Sequence, residues 1–328
     1  MAHYVFISHA TKAVTAADAP SSTEKRELSV DAPQKQEVST AGKAPSTPVN
    51  RGRKLVFAGA LVALLTAGVL RAAADAEKAQ PAKEEGAKKK EDSLKAAAAA
   101  SKEQPYVNSL GMKFVPVPGT GVLFGICETR VKDYKVFVEA KNREWPKPSF
   151  QQTEEHPAVN VSWEDATAFC EWLTEQERTT GRISAKQSYR LPSDEEWSAA
   201  VGLEKEGGSM PKERDKKVRD VYPWGTKWPP PKGAGNYDPS LKVDDYEYTS
   251  PAGSFAANRF GIYDLEGNVS EWCRDWYDAE MTYRVLRGAS WNDDRPVYLL
   301  SSYRAARPPG ARNAVFGFRC VLVEESSR

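Results

Sequence analysis

Histidine and cysteine are the scarce residues here: 328 residues carry 3 His and 4 Cys. After residue 105 the only imidazole is His156, so a multi-histidine zinc or iron centre cannot be assembled in that part of the chain. A Ser-His-Asp arrangement would have to use that one histidine. Net charge is lacking too. With 46 Lys and Arg against 45 Asp and Glu, no strong basic field argues for a nucleic-acid partner. Aromatic residues are missing from the first 105 positions apart from Tyr4, Phe6 and Phe57, whereas all nine Trp fall between Trp145 and Trp291.

That aromatic split divides the chain. Residues 1–50 are rich in Ala, Ser, Thr, Pro, Lys and Glu and read as a disordered N-terminal segment. Leu55 to Leu70 is uncharged, extends through small residues to Ala74, and comes directly after Arg51, Arg53 and Lys54. A crossing helix needs ~20 residues, with a lower limit near 17. Residues 51–74 therefore read as one hydrophobic helix, a transmembrane anchor with its N-terminus in the cytoplasm. The alternative is a signal segment with an Ala-rich cleavage region at Arg71–Asp75, giving a secreted product. On either reading the residues C-terminal to this segment lie outside the cytoplasm. Residues 75–105 form a polar Ala/Glu/Lys linker, and 106–328 have the composition of one folded domain of ~220 residues.

In that domain short elements alternate with Gly- and Pro-bearing turns. Thr129 is placed to cap a helix over 130–141, and Ser162 with Asp165 begins a second whose Ala166, Phe169, Cys170 and Leu173 share a face. Ser193 and Glu196 open a third, ending near Gly202. Later, β-type runs at Phe260–Leu265, Arg284–Arg287 and Phe316–Val323 are punctuated by Gly, Asn, Asp and Pro. The fold class is α+β, irregular and loop-rich, and loops this long need pinning. Cys170 on the inner helix face and Cys320 in the last apolar run are either a disulfide or two buried thiols. Asp264 and Glu271, seven apart around a Gly-Asn turn, either wrap a hard cation or flank a solvated hairpin.

Several runs occur in order: Asn108–Pro118, Glu128-Thr129, His156–Trp163, Tyr189–Trp197, Pro223–Gly225, Gly261–Trp272, Arg287–Trp291 and Gly317–Cys320. Together they resemble the formylglycine-generating enzyme, or sulfatase-modifying factor, family. The resemblance covers 106–324 and implies a C-type lectin-like variant fold with structural calcium. Its disulfide would fall on Cys170 and Cys320. One calcium set would be Asp264 and Glu271 through side chains, with Gly267 and Val269 through carbonyls. The other would be Asn236 and Asp244 through side chains, with Tyr237 and Tyr246 through carbonyls.

The family's oxidase chemistry does not carry over. Its active members hold copper on two cysteines shortly after the motif matching Arg287–Trp291, because Cu(I) takes soft thiolates. Here that stretch is Trp291-Asn-Asp-Asp-Arg-Pro-Val-Tyr298, and no cysteine stands between Cys273 and Cys320. Copper is therefore not expected. The iron-dependent sulfoxide synthases that share this domain need a histidine triad, also absent. The remaining reading is a non-catalytic, calcium-stabilised module held to the membrane through residues 55–74. Its ligand cleft would be Trp291, Asp293, Asp294, Arg295, Tyr298, Tyr303, Arg304 and Arg307, its partner an unknown protein, peptide or glycan. The alternatives are a formylglycine-generating-type oxidoreductase acting on sulfatase cysteines and a structural subunit of an envelope complex. Arg304 and Arg307 have an alternative role of their own, pairing with internal carboxylates.

Overall fold

The structure is a computed structural model and describes residues 97–203 and 206–324. The N-terminal segment 1–50, the hydrophobic run 51–74 and most of the 75–105 linker lie outside the described residues. Among the described residues no helix is long and apolar enough to cross a membrane.

Among the described residues from Tyr106 on, two sheets and three helices longer than one turn form an α+β domain with few regular elements. In chain order these are β1 (Tyr106–Val107), β2 (Lys113–Pro116), β3 (Val122–Gly125), α1 (Val131–Ala140), α2 (Trp163–Thr179), β4 (Gln187–Arg190) and α3 (Asp194–Val201). Then come β5 (Ser270–Trp276), β6 (Arg284–Arg287), β7 (Arg304–Arg307), β8 (Phe316–Gly317) and β9 (Val321–Glu324). One sheet has the order β1-β2-β3-β9-β4, and the other β7-β6-β5-β8. All pairs are antiparallel except β5 with β8.

The helices keep closely to the expected caps. Ser162 Oγ accepts from Asp165 N at 3.1 Å while the Asp165 carboxylate accepts from Ser162 N. Both orphan donors at the start of α2 are thus satisfied. Ser193 and Glu196 repeat the exchange at α3, which stops at Gly202 in the left-handed region, φ 92°. At α1 the cap is Arg130 rather than Thr129. The spacing of Ala166, Phe169, Cys170 and Leu173 puts all four in the core, where fully burying Phe169 or Leu173 contributes roughly 2–3 kcal/mol. They meet Tyr134 and Phe137 of α1 and Phe318 near the chain's end.

Tryptophan supplies much of the pinning that the loops require. Trp145, Trp163, Trp272 and Trp291 donate their indole N–H to the carbonyls of Val159, Cys273, Val161 and Ala314, at 2.8, 3.0, 2.9 and 3.1 Å. Each ring buries apolar area while its polar edge holds a loop carbonyl.

Three expectations are corrected. Phe260–Leu265 is not a strand, because Gly261 at φ 82° and Asp264 at φ 55° turn the chain. Phe316–Val323 is two strands, and Ser270–Trp276 is a strand the Gly-Asn pair before it concealed. Nor is there a disulfide: Cys170 and Cys320 are free thiols with their sulfurs 3.4 Å apart. α2 and the residue just before β9 nevertheless bring together the pair that the resemblance implied.

Candidate functional site

Asn268 joins four loops, among them those that carry Asn236 of the expected calcium set and Trp291 of the expected ligand cleft. It is fully buried in the left-handed region at φ 64°, a conformation Asn tolerates better than most residues. Its Nδ2 donates to Glu128 Oε1 at 3.1 Å and to the Ser250 carbonyl. Its Oδ1 accepts from Ser250 N at 2.9 Å and Asn236 Nδ2 at 3.1 Å. Its backbone N–H donates to the Asn236 carbonyl, and its carbonyl accepts from Trp291 N. The sequence marks Asn268 only as part of a turn, so this role was missed.

Trp291, held by that bond, stands edge-on to Phe150 and Tyr248 at 5.5 and 5.2 Å. Phe150 and Tyr248 stack face to face at 4.5 Å and 8°. Tyr248 is 36% exposed, so the trio presents an aromatic face to solvent. Sequence reasoning found Trp291 and missed both partners, which lie 141 and 43 positions away.

Below this face the calcium residues are unequal. Glu271 is fully buried and both oxygens are taken: Arg319 binds them at 2.6 and 2.7 Å, and Trp197 Nε1 donates to one at 3.2 Å. The solvated hairpin is thereby excluded, but so is a freely available Glu271. Burial pushes the Asp264 carboxyl up to about 6, although its Oδ2 accepts from Gly253 N at 2.5 Å. Burial, then Asp264, also raises Glu128. In the other set, Asp244 accepts from Tyr237 N and Tyr246 N at 3.1 and 2.9 Å, while Asn236 Oδ1 is buried with no hydrogen-bond partner. Among the described residues no three His, Cys, Asp or Glu side chains form a metal-holding group.

The series of motifs and the sheet arrangement agree with a sequence model of the sulfatase-modifying factor enzyme 1-like domain, which matches residues 87–323. The chain belongs to this family. Its curated relatives include the bovine (Bos taurus) protein named inactive C-alpha-formylglycine-generating enzyme 2, 33% identical over 188 residues, 54% of this chain and 53% of the relative. A formylglycine-generating enzyme of Thermomonospora curvata is 28% identical over 209 residues, 55% of this chain and 60% of the relative. A serine/threonine-protein kinase pkn1 of Chlamydia caviae is 31% identical over 183 residues, 51% of this chain and 24% of the relative. The chain thus spans about half the length of the bovine relative. Among solved structures, PvdO from Pseudomonas aeruginosa aligns with a TM-score of 0.46 and 23% identity, covering 62% of this chain and 80% of that one.

In this sulfatase-modifying factor-like domain the segment after Trp291 is a turn rather than a thiol pair. Asp293 Oδ2 accepts from Ser290 N and Oγ at 2.8 and 2.7 Å, and burial raises its carboxyl above the usual aspartate range. Asp294 and Arg295 are exposed and 3.9 Å apart. Tyr298 and Tyr303 pack at 5.3 Å, with burial pushing Tyr303 up to about 12. Arg304 is corrected out of the cleft. It is 2% exposed, bound to Asp194 at 3.0 Å and Glu206 at 2.5 Å. It lies opposite Arg287 in the β6–β7 ladder, where like charges would repel, but Arg287 shares Asp194 at 2.6 Å. Arg307 stays exposed, its guanidinium 5.8 Å from the Phe316 ring.

Proposed function

We propose that this domain is a non-catalytic binding module for a protein, peptide or glycan, displayed outside the cytoplasm on the 55–74 segment. The single observation that carries the reading is where the four thiols sit. Cys170 and Cys320 face each other in the core, and Cys273 is wholly buried. Burial pushes the half-buried Cys127 up to about 12, with Glu128 adding to the shift. None belongs to the 291–307 segment, so the pair of soft ligands used by the family's copper oxidases is missing from the chain.

The Phe150–Tyr248–Trp291 face, with Asp294 and Arg295 nearby in sequence, is the recognition surface in this reading. Stacked aromatics give a partner contact area at low entropic cost. The C-type lectin-like form of the fold suits it, since rigid strands and tryptophan clamps carry long presenting loops. The run of apolar residues behind Arg51, Arg53 and Lys54 supports the anchor.

Calcium fits one expected set better than the other. The orphaned Asn236 Oδ1 is the kind of oxygen a hard cation takes, together with Asp244 and the Tyr237 and Tyr246 carbonyls. The Asp264–Glu271 set does not fit as the resemblance draws it, since Arg319 already neutralises Glu271. Bound calcium would supply structure, tying loops to one another.

The test is thiol consumption by the full chain with added copper, oxygen and a cysteine-containing peptide, beside a glycan and peptide array. The expected result is no peptide-thiol consumption above the protein-free copper control, and array binding that Tyr248→Ala abolishes. Turnover that scales with protein, survives replacement of Asp293 and Asp294, and disappears with a copper chelator would overturn the reading.

A further inference from the structure

The β6–β7 ladder carries a pair of facing arginines at each end, and only one pair has its acid. Arg287 lies opposite Arg304, and both bind Asp194. Arg284 lies opposite Arg307, where like charges destabilise a sheet. Among the described residues neither has a carboxylate oxygen within 4 Å, and Arg274 on the neighbouring β5 has none either. Arg274 and Arg307 are exposed and Arg284 is half-buried. Burial lowers the Arg284 pKa; Asp275 offsets this in part, and Arg274 lowers it again. Asp275 is not the missing partner, since its Oδ2 accepts from Asp194 N at 2.7 Å.

Arg284 is held in a geometry that selects the shape of an incoming anion. Its Cζ lies 3.8 Å from the centroid of Trp163 and 3.4 Å from that of Trp276. Two rings this close must cover opposite faces of the guanidinium, which leaves only bonds in its plane. Nη1 donates to the Arg274 carbonyl at 2.6 Å. Nε is buried without a partner, and Nη2 makes no hydrogen bond among the described residues. A donor left in that state costs free energy. Nε and Nη2 together are the side of the fork that takes both oxygens of a carboxylate. Arg319 uses the same two nitrogens on Glu271. A planar carboxylate fits between the indoles, whereas the tetrahedral oxygens of a sulfate or phosphate project toward them.

We propose that the Arg284–Arg307 end of this sheet, with Arg274 beside it, docks an acidic segment of a partner protein, an Asp or Glu of which enters the slot between Trp163 and Trp276. The incoming acid does for Arg284 and Arg307 what Asp194 does for Arg287 and Arg304. This surface shares no residue with the Phe150–Tyr248–Trp291 face and does not depend on it.

The experiment is fluorescence anisotropy of a labelled hexaglutamate peptide on the full chain, with hexalysine, heparin and sodium sulfate as the other probes. Hexaglutamate should bind, less tightly as sodium chloride is added, and hexalysine should not. Replacing Arg274→Gln and Arg307→Gln together should weaken binding at least about tenfold, yet melt no lower than wild type, because repelling charges are removed. Arg284→Lys keeps the charge, loses the planar fork and should weaken binding as well. Tyr248→Ala should leave it unchanged, which separates failure here from failure of the aromatic face. The proposal is overturned if hexaglutamate does not bind, or if its binding survives either the double substitution or Arg284→Lys. It is also overturned if heparin or sulfate uses these arginines and hexaglutamate does not, or if the double variant melts well below wild type.

Discussion

Replacing Arg319 by Met tests the ion pair that organises the centre of the domain. Arg319 is fully buried and joins three parts of the chain. Its Nε and Nη2 grip Glu271 of β5, Nη1 donates to the Gly125 carbonyl of β3 at 3.0 Å, and Nη2 donates to the Tyr263 carbonyl at 2.9 Å. Methionine keeps much of the length and none of the donors. Removing one partner of a buried pair costs about 3–5 kcal/mol, chiefly because the other charge remains without compensation. The cost here belongs at the upper end, since Glu271 sits among acids. Burial and Asp264 already raise Glu128, and Arg319 is the largest effect that lowers it. For a domain of this size the expected fall in melting temperature is about 6–20 °C, read beside urea unfolding with an unchanged m-value. Adding Glu271→Leu should recover at least half of the loss by removing the stranded acid. The residual deficit is the Trp197 indole N–H and two carbonyls left unpaired. A single-variant cost below about 1 kcal/mol, or a double variant no better than the single, would refute this account.

The same packing sets two further expectations. Burial opposes ionisation of Asp194, but Arg287 and Arg304 outweigh it and hold its carboxyl below the usual aspartate range. A depressed acid stabilises fully above its unfolded pKa of about 3.9 and loses that contribution as pH falls through the folded value. The stability gap between wild type and Asp194→Asn should therefore be constant from about pH 5 to 7 and narrow below about pH 4; a gap that does not narrow in acid contradicts it. Separately, mild oxidation should join Cys170 to Cys320, closing a separation of 150 residues and stabilising the fold by about 5 kcal/mol in the chain-entropy model. Mass spectrometry after alkylation checks this: both residues found alkylated in oxidised protein would count against it.

Local chemistry was the legible part of the sequence. Ser162 and Ser193 with their partners three residues on marked two helix starts, Gly202 marked an end, and the periodicity of α2 put Cys170 on its inner face. Each signal spans only a few residues or one helix face. What stayed hidden depends on partners far along the chain. Arg304 reads either as a cleft cation or as the partner of an internal carboxylate, and Asp194 and Glu206, 110 and 98 positions away, decide for the second only in the fold. Glu271 reads as one of two carboxylates around a Gly-Asn turn, and its pairing with Arg319, 48 positions away, is visible only in the fold. In Phe260–Leu265, Gly261 and Asp264 take positive φ angles that no hydrophobic pattern encodes. The aromatic face had the same obscurity, since Phe150 and Tyr248 sit in unrelated loops and gain meaning only from Trp291.

The position of β9 has a consequence in time. It lies inside its sheet, flanked by β3 and β4, although its residues 321–324 are made after every other strand of the described residues. While the chain is being synthesised, the facing edges of β3 and β4 have no neighbour, and the core beneath them lacks Phe318, Cys320 and Leu322. Open strand edges of this kind invite mispairing with other chains. The first sheet therefore cannot close until β9 has followed the other described strands, and a nascent chain would benefit from a chaperone that shields those edges until that strand arrives.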